Sequence, residues 1–184
     1  EIAWYNAKEA NLPRAFFINK CDDPDADFDK VFNQLRDEFG NALCPVFIPI
    51  KEANGVTMAD LMTMKCFRYL PNGERQEEEM TPSRLAVAEK YEEIFMEAIA
   101  QTNEEMLEKF FEGEELTIEE VKSCIRKATI ANTMVPVVCG TSYRNKGVQL
   151  LLDAVIDYMP APTDIEAIKG VNPETGEEEV RHSS

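Results

Sequence analysis

The chain contains 184 residues, of which 35 are acidic and 19 basic, so its formal net charge at pH 7 is −16. This length is typical of one domain or of one core with an insert, and a hydrophobic content of 44% excludes a wholly disordered chain. The sequence has no apolar run of the roughly 18–20 residues that a membrane-spanning helix needs, and its acidity argues against direct binding to DNA.

The first fifty residues alternate between helical and extended patterns. Residues 1–11 are predicted to end a helix, and the apolar run at 14–18 is typical of a buried strand. In residues 26–39, apolar side chains three or four positions apart predict an amphipathic helix that ends at Gly40. Residues 45–50 predict a second buried strand, and the alternation indicates a parallel α/β sheet.

Between residues 51 and 130 this alternation stops, and we interpret the region as an insert with its own small core. Two extended runs in residues 56–80 flank the turn sequence Pro71-Asn72-Gly73, which predicts a β-hairpin. A long helix is predicted to begin at Thr81, because threonine suits the cap and the proline that follows suits the first turn. The apolar face of this helix comprises Leu85, Ala88, Tyr91, Ile94, Phe95 and Ala98.

Two shorter helices complete the insert, which also carries most of the charge. The capping boxes Thr102-x-x-Glu105 and Thr117-x-x-Glu120 predict their first turns, and Gly113 is predicted to end the first of them. Residues 74–120 contain 16 acidic and 4 basic residues, a net charge of −12. Such charge is typical of a solvated helical face; the alternative is a docking surface for a basic protein partner.

The first pattern returns after the insert. Residues 134–139 predict a third buried strand, and a loop from Gly140 to Gly147 follows it. Residues 148–159 predict a helix with Leu151, Leu152, Val155, Ile156 and Met159 on its apolar side. The polar residues 163–184, with a turn at 172–176, are typical of a linker or of the start of a further β region.

The cysteines favour a reducing, cytoplasmic compartment. Their number is odd, no CxxC occurs, and the single histidine, His182, lies in a polar segment, so neither a disulfide framework nor a zinc site is expected. We interpret all five as small core residues: Cys21, Cys44, Cys66, Cys124 and Cys139.

The first candidate site is Asn19-Lys20-x-Asp22, directly after a predicted strand. Guanine presents two adjacent donors, N1–H and the exocyclic amine, and one ionised carboxylate can accept from both. Adenine lacks this pair of donors and is rejected by such a site. The position also fits, because ligands of open α/β sheets bind at the carboxyl ends of strands. The alternative is a polar turn in which Asp22 or Asp23 caps the next helix.

The second candidate is Gly140-Thr141-Ser142, which also follows a predicted strand. Small residues let backbone N–H groups approach a ligand closely, and a purine carbonyl is a suitable acceptor. The alternative is a loop that caps the following helix. The two strands become neighbours once the insert is set aside, so we expect the two loops to hold opposite edges of one base.

We find no phosphate site and no catalytic residues. The pattern GxxxxGK[ST] is absent, and Lys146 precedes the second glycine of its loop rather than following it. We find no DxxG for contact with a metal ion and a γ-phosphate, and we predict no metal ligand. No serine or cysteine nucleophile has a plausible histidine partner.

Taken together, these residues resemble elongation factor G, the translocation GTPase of the ribosome. The similarity includes LPRAFFINKCD at residues 12–22, EEMLEKFFEGEELTIEEVK at 104–122 and VPVVCGTSYRNKGVQLLLDAVIDYMPAP at 135–162. The resemblance implies that Asn19, Lys20 and Asp22 form the guanine-specificity motif. It also implies that Thr141 and Ser142 belong to the second guanine loop, where the family usually has Gly-Ser-Ala in place of Gly-Thr-Ser.

The resemblance further implies a partial Ras-like, doubly wound GTPase sheet with an inserted α+β subdomain. Residues 1–50 and 131–162 form the nucleotide domain, 51–130 form the acidic insert, and 163–184 lead into a β-barrel. The nucleotide is GTP or GDP, with magnesium in the intact protein. We expect the chain to be a piece that lacks the phosphate loop, both switches and the magnesium ligand, and that does not hydrolyse GTP alone.

In that family the insert contacts the ribosomal stalk protein, so the implied partners are guanine nucleotide, the ribosome and the stalk, with no membrane and no DNA. A ribosomal-protection protein or another elongation-factor-like paralogue remains an alternative. Two further alternatives are an interaction module with vestigial nucleotide loops, and an unrelated α/β enzyme with a chance NKxD.

Overall fold

The computed structural model describes residues 1–112, 116–142, 144–164 and 167–182. Its elements in chain order are α1 (Ile2–Glu9), β1 (Phe16–Ile18), α2 (Phe28–Phe39), β2 (Leu43–Pro45), β3 (Phe47–Glu52), β4 (Gly55–Asp60), β5 (Lys65–Tyr69), β6 (Arg75–Glu78), α3 (Pro82–Thr102), α4 (Glu104–Phe111), α5 (Ile118–Ile130), β7 (Val135–Cys139), α6 (Val148–Tyr158), a short 3₁₀ turn (Pro162–Asp164), β8 (Ile168–Val171) and β9 (Glu178–Arg181).

A parallel sheet with the order β1-β7-β2 confirms the predicted α/β arrangement. The central strand β7 is buried along its whole length, as expected for an apolar run that has a neighbour on each side. Phe17 pairs with Val138 on one side, and Cys44 pairs with Pro136 on the other. The carboxyl ends of β1 and β7 therefore lie side by side.

The prediction of one strand at residues 45–50 is wrong, because the chain changes sheets at Val46. The backbone N–H of Val46 donates to the carbonyl of Val137 in the parallel sheet, at 3.0 Å. The carbonyl of Val46 accepts from Leu61, at the end of β4, also at 3.0 Å. One residue thus joins the parallel β2 to the antiparallel β3, a change that the continuous apolar run in the sequence does not reveal.

The second sheet is antiparallel, with the order β3-β4-β5-β6. The hairpin predicted around residues 71–73 is confirmed as β5 and β6, and its turn is closed by a bond of 2.9 Å from the Gly73 N–H to the Leu70 carbonyl. The single extended run predicted before this turn, at residues 56–70, is wrong, because the chain turns at 61–64 and forms two paired strands, β4 and β5. Strands β3 and β4 extend the hairpin to a four-stranded meander, and β3 crosses the boundary predicted between residues 50 and 51. A further hairpin, β8 and β9, follows the 3₁₀ turn.

The long helix α3 begins where predicted, with the Thr81 hydroxyl accepting from the Arg84 N–H. Of its predicted apolar face, Ala88, Tyr91, Phe95 and Ala98 are buried, whereas Leu85 is exposed. The prediction that the insert has its own core is wrong. Helix α3 packs against β2, and α5 packs against β7 and α6, so the buried residues of both sheets form one continuous cluster.

One of the two predicted capping boxes is confirmed. Both reciprocal bonds between Thr117 and Glu120 are present at the start of α5. The box at Thr102 is wrong, because α3 continues through that residue and its hydroxyl donates back to the Ile99 carbonyl at 2.9 Å. The side chain of Asn103 instead accepts from the Met106 N–H at the start of α4. The predicted helix end at Gly113 lies outside the described residues.

The buried face of α6 differs from the predicted one. Leu150, Ala154 and Tyr158 are buried against the core, whereas Leu152, Val155 and Ile156 are exposed. The face of the helix that contacts α5 and β7 is not its most apolar face. An ion pair of 2.9 Å between Lys122 and Asp157 also links the helix to α5. Alternative apolar stripes exist on this helix, and packing selects between them.

All five cysteines are free and buried, which confirms their interpretation as core residues. Among the helices of the described ranges, none is both long and apolar enough to cross a lipid bilayer.

Candidate functional site at the carboxyl ends of two strands

The two candidate loops begin at the same edge of the parallel sheet, as predicted. The Gly140 N–H donates to the Ile18 carbonyl at 3.0 Å, and the Cys21 N–H donates to the Gly140 carbonyl at 3.2 Å. These two bonds extend the pairing of β1 and β7 beyond the ends of the strands. The first residues of each loop therefore have fixed positions relative to those of the other.

Asn19 connects the two loops through its side-chain amide. Its Oδ1 accepts from the Ser142 N–H at 2.9 Å, and its Nδ2 donates to the Ser142 hydroxyl at 2.8 Å. The same Oδ1 accepts from the N–H of Lys20, which has a left-handed backbone with a φ of 59°. That conformation turns the chain sharply after Asn19 and leaves the Lys20 side chain exposed.

Asp22 faces the second loop and does not cap a helix. Its Oδ1 accepts from the Thr141 hydroxyl at 2.5 Å, and its Oδ2 lies 3.3 Å from Nε of Arg144. The cap of α2 is Asp27, whose side chain accepts from the Lys30 N–H. The structure therefore contradicts the alternative in which Asp22 or Asp23 caps that helix.

The second loop folds back on itself. Thr141 and Lys146 form an isolated antiparallel bridge with backbone bonds of 2.6 and 3.0 Å. A Cβ atom on Gly140 would lie 2.6 Å from the Lys146 carbonyl oxygen, so only glycine fits there. Gly147, with a φ of 80°, stands at the N-cap of α6 and makes no side-chain cap. Neither Thr141 nor Ser142 caps this helix.

Sequence reasoning missed two residues that contact the first loop or its aspartate. Arg144 is one of them. The other is Lys51 of β3, whose ammonium donates to the carbonyls of Asp23 at 2.8 Å, Pro24 at 3.2 Å and Ala26. Isolated basic residues give no signal of such contacts, because the contacts depend on how two sheets are placed relative to each other.

A pair of thiols lies beneath the two loops. A hydrogen bond with Cys139 lowers the pKa of Cys21, and this effect outweighs the burial that raises it. Burial is the largest cause of the raised pKa of Cys139, which is fully buried. Cys21 directly follows Lys20 and Cys139 directly precedes Gly140, so the two buried thiols lie next to the first residues of the two loops.

A cavity of about 220 Å³ opens beside Asp22 and Thr141. Arg144 and Lys146 line it from the second loop, and Arg68 lines it from β5. The cavity thus combines a carboxylate with several cations. The acceptor set at Asp22 suits a ligand that presents paired N–H donors.

Sequence reasoning overlooked one DxxG tetrapeptide, Asp37-Glu38-Phe39-Gly40, but the structure excludes a role for it at this site. It ends α2, where Gly40 adopts a φ of 92° and its N–H donates to Arg36. Helix α2 ends at the opposite edge of the sheet from the two loops, because the following strand β2 runs parallel to β1 and β7.

Comparison with known proteins gives two results. Residues 1–161 match the family model described as the elongation factor Tu GTP-binding domain. Among solved structures, the chain is similar to a crystal structure of a protein from Thermus thermophilus, with a TM-score of 0.76 and 31% sequence identity. The similarity covers 88% of this chain and 24% of that one, so this chain spans about a quarter of the length of the solved protein.

Proposed function

The chain belongs to the family of elongation factor Tu GTP-binding domains, and on that premise we propose that its two loops bind the guanine base of GTP and GDP. The observation that carries this proposal is the contact between Asp22 and the second loop. A carboxylate that follows one strand accepts from Thr141, which follows the neighbouring strand. In the proposal, the base lies where these two loops meet.

The chemistry of the site supports guanine over other bases. Asp22 offers two carboxylate oxygens to the N1–H and the exocyclic amine of guanine, and charge-assisted bonds of this kind are about twice as strong as neutral ones. The Thr141 hydroxyl donates to one oxygen and so limits rotation of the carboxylate. The base that fits best is one with two adjacent donors.

The remaining site residues have supporting roles in this proposal. Asn19 holds the second loop in place through Ser142, whose N–H and hydroxyl it binds. The backbone N–H groups of Thr141 and Ser142, which the sequence offered for the carbonyl oxygen of the base, already have partners in Lys146 and Asn19. The stem of Lys20 lies along the face of the purine ring. Both roles require that the loops keep their positions, which the hydrogen bonds between β1 and β7 ensure.

The family is one of GTPases, and we assign to this chain the base-recognition part of that activity. Phosphate binding needs a loop such as GxxxxGK[ST], which the sequence does not contain, and the residues that we describe supply no step of hydrolysis. Magnesium neutralises the developing charge on the phosphates in such enzymes. No residue of this site is proposed to hold the ion.

Within the family, we propose an elongation factor G-like protein, on the residue patterns at 104–122 and 135–162. In this proposal, residues 1–50 and 131–162 belong to the nucleotide domain, and residues 163–184 lead into a β-barrel. The acidic insert at residues 51–130 binds a ribosomal stalk protein. A ribosomal-protection paralogue would share all of these features.

Charge and exposure support the docking role of the insert. Glu104 and Glu105 are exposed in the first turn of α4, and Glu119 and Glu120 are exposed in the first turn of α5. A groove of about 400 Å³ lies between these two helices. Glu105, Glu119 and Glu120 line this groove, and so do Lys109 and Lys127, with Lys109 lying 3.6 Å from Glu120. A basic partner would therefore meet negative charge mainly at the exposed first turns of the two helices, and its binding would be sensitive to salt.

Substitution of Asp22 tests the guanine assignment. Asp22→Asn replaces one acceptor oxygen by a donor, so we expect weaker binding of GDP and stronger binding of xanthosine diphosphate, which presents an acceptor in place of the amine. Titration of fluorescent analogues of both nucleotides measures the two affinities. Asp23→Asn, one residue further on, is the matched control. An unchanged order of preference would remove the assigned role.

The docking proposal has a separate test. We expect the parent chain to bind a purified ribosomal stalk protein at low ionic strength and to lose it as salt rises. We expect the double substitution of Glu104 and Glu105 by lysine to abolish this binding. The same reversal at Glu177 and Glu178, near the start of β9, keeps it. Equal binding by both double variants would leave the acidic face with a role in solubility alone.

A further inference from the structure

Arg144 lies on the carboxylate that we assign to the guanine base. Its Nε is 3.3 Å from Oδ2 of Asp22, while the Thr141 hydroxyl donates to Oδ1. Each oxygen of the carboxylate therefore already has a partner within the chain. We propose that Arg144 competes with the base for Asp22, and thereby sets the affinity of the site for guanine nucleotides; this inference rests on the proposed function.

The two partners of Asp22 differ in how easily a base can displace them. Thr141 is 5% exposed and is held by backbone bonds to Lys146, so its hydroxyl stays in place. The Arg144 side chain is 64% exposed, whereas that of Asp22 is only 21% exposed. Arg144 is therefore the partner of Asp22 that a base arriving from solvent can displace.

Guanine needs both oxygens of Asp22. One oxygen accepts from N1–H and the other accepts from the exocyclic amine, so the base and Arg144 compete for the lone pairs of Oδ2. A base with only one donor towards Asp22 leaves Arg144 in place. Guanine therefore meets the competition of Arg144, whereas a base with one donor does not, so the arginine lowers the affinity of the site for guanine nucleotides.

The size of the effect follows from the exposure of the pair. Exposed ion pairs contribute little, so removal of Arg144 should improve binding of GDP by up to about fivefold. Salt screens exposed charges, so the gain should be greatest at about 20 mM salt and small at about 0.5 M. Removal of a cation also weakens the attraction of any anionic nucleotide, and the experiment has to separate these opposing effects.

A double-mutant cycle makes that separation. The variants are Arg144→Gln, Asp22→Asn and the two combined, with Arg181→Gln as the control. Arg181 also forms an exposed pair, with Glu179 at 2.9 Å, but it lies on the β8–β9 hairpin. GDP is titrated into the proteins that keep Asp22, and xanthosine diphosphate into those that carry the Asp22→Asn substitution. The loss of general attraction is common to both backgrounds, whereas competition for the carboxylate exists only where Asp22 is kept.

We compare the change in nucleotide affinity that Arg144→Gln causes in the two backgrounds. At low salt, this change should be more favourable by up to about fivefold where Asp22 is kept than where it is replaced by asparagine. Binding by Arg144→Gln where the parent shows none would support the same conclusion. Equal effects in the two backgrounds would overturn it and leave the guanine assignment intact. If Asp22→Asn does not change the preference between the two bases, or if no variant binds either nucleotide, the proposed function fails and this inference fails with it.

Discussion

Asn19 and Ser142 are 123 positions apart in the chain and are joined by two hydrogen bonds that use both ends of the Asn19 amide. An amide is well suited to this position because it can accept from the Ser142 N–H and donate to the Ser142 hydroxyl at the same time. A carboxylate would lack the donor. The proposed base site therefore depends on Asn19 as a positioning residue, whether or not its side chain also contacts the ligand.

The first prediction concerns this connection. Asn19→Ala removes both bonds, each of which contributes about 1 kcal/mol, so we expect guanine nucleotide affinity to fall about tenfold. Amide hydrogen exchange at Ser142 should become faster, because its N–H loses its partner. Asn132→Ala is the control, since the Asn132 amide donates to Asn11 in a similar way but away from the loops. Unchanged exchange at Ser142 would contradict the role given to Asn19.

The second prediction concerns the tight return of the loop after β7. A Cβ atom on Gly140 would meet the Lys146 carbonyl at 2.6 Å and the Cα of Gly147 at 3.0 Å. Gly140→Ala should therefore lower the free energy of unfolding by about 1–3 kcal/mol, as measured by urea denaturation. Gly170→Ala is the matched control, because no atom lies within 4 Å of its added Cβ. Equal losses in the two variants would show that the loop can relax.

The third prediction concerns Lys51, which holds the turn after Asp22 through three backbone carbonyls. Lys51→Met removes a charged donor from that turn, and we expect a loss of about 1 kcal/mol in stability together with a several-fold loss in guanine nucleotide affinity. Lys51→Arg keeps the charge and some of the donors, so it should recover part of the affinity.

Lys30→Met, on the exposed face of α2, provides the comparison for Lys51. It removes the same charge near the same loop but lies on a helix rather than on β3. If both lysine variants reduce affinity equally, general attraction of the anionic nucleotide explains the result, and the positioning role of Lys51 is wrong.

The elements that sequence reasoning predicted correctly are those with strong local signals. The helix after Thr81, the capping box at Thr117, the hairpin around Gly73 and the apolar strand at 134–139 all have such signals. The convergence of Asp22 with Thr141 was also predictable. Both residues follow strands of one parallel sheet, and the ends of such strands share an edge.

The features that could not be predicted depend on long-range packing. The apolar run at 45–50 continues across the change of sheet at Val46, so the pattern contains no break there. Helix α6 has two apolar stripes, and contacts with α5 and β7 decide which one is buried. The contacts of Lys51 and Arg144 with the first loop join residues 25 or more positions apart, and single basic residues carry no signal of such partners.

The fourth prediction concerns Glu52, at the centre of an ion-pair network in the antiparallel sheet. Its carboxylate accepts from Arg84 at 2.7 and 2.9 Å, from Arg68 at 3.1 Å and from Thr57 at 3.0 Å. The pKa of Glu52 is lowered from its ordinary value of 4.5 to about 2, mainly by the hydrogen bonds with Arg84. The folded state thus favours the ionised form, and this stabilisation is present above about pH 4.5 and is lost as the pH falls towards 2.

Glu52→Gln should therefore destabilise the chain by about 1–3 kcal/mol at neutral pH, and the difference from the parent should shrink between about pH 4.5 and pH 2. Urea denaturation across this range measures it. Glu77→Gln, an exposed carboxylate on the adjacent strand β6, should give a small difference at every pH. A difference between parent and Glu52→Gln that does not change with pH would show that the network does not depend on the charge of Glu52.

The fifth prediction distinguishes the two helix starts of the acidic insert, which look alike in sequence. The Thr117 hydroxyl accepts from the Glu120 N–H at 3.2 Å, so Thr117→Ala should cost about 1 kcal/mol of stability. At the other start the cap is Asn103, and Asn103→Ala should cost a similar amount. Thr102→Ala should cost much less, because the Thr102 hydroxyl only donates back into the last turn of α3.

Urea denaturation of the three variants measures each of these losses. A loss at Thr102 as large as that at Asn103 would restore the capping box at 102–105. The helix boundary would then lie one residue earlier, and the position of Glu104 and Glu105 on the proposed docking face would change with it.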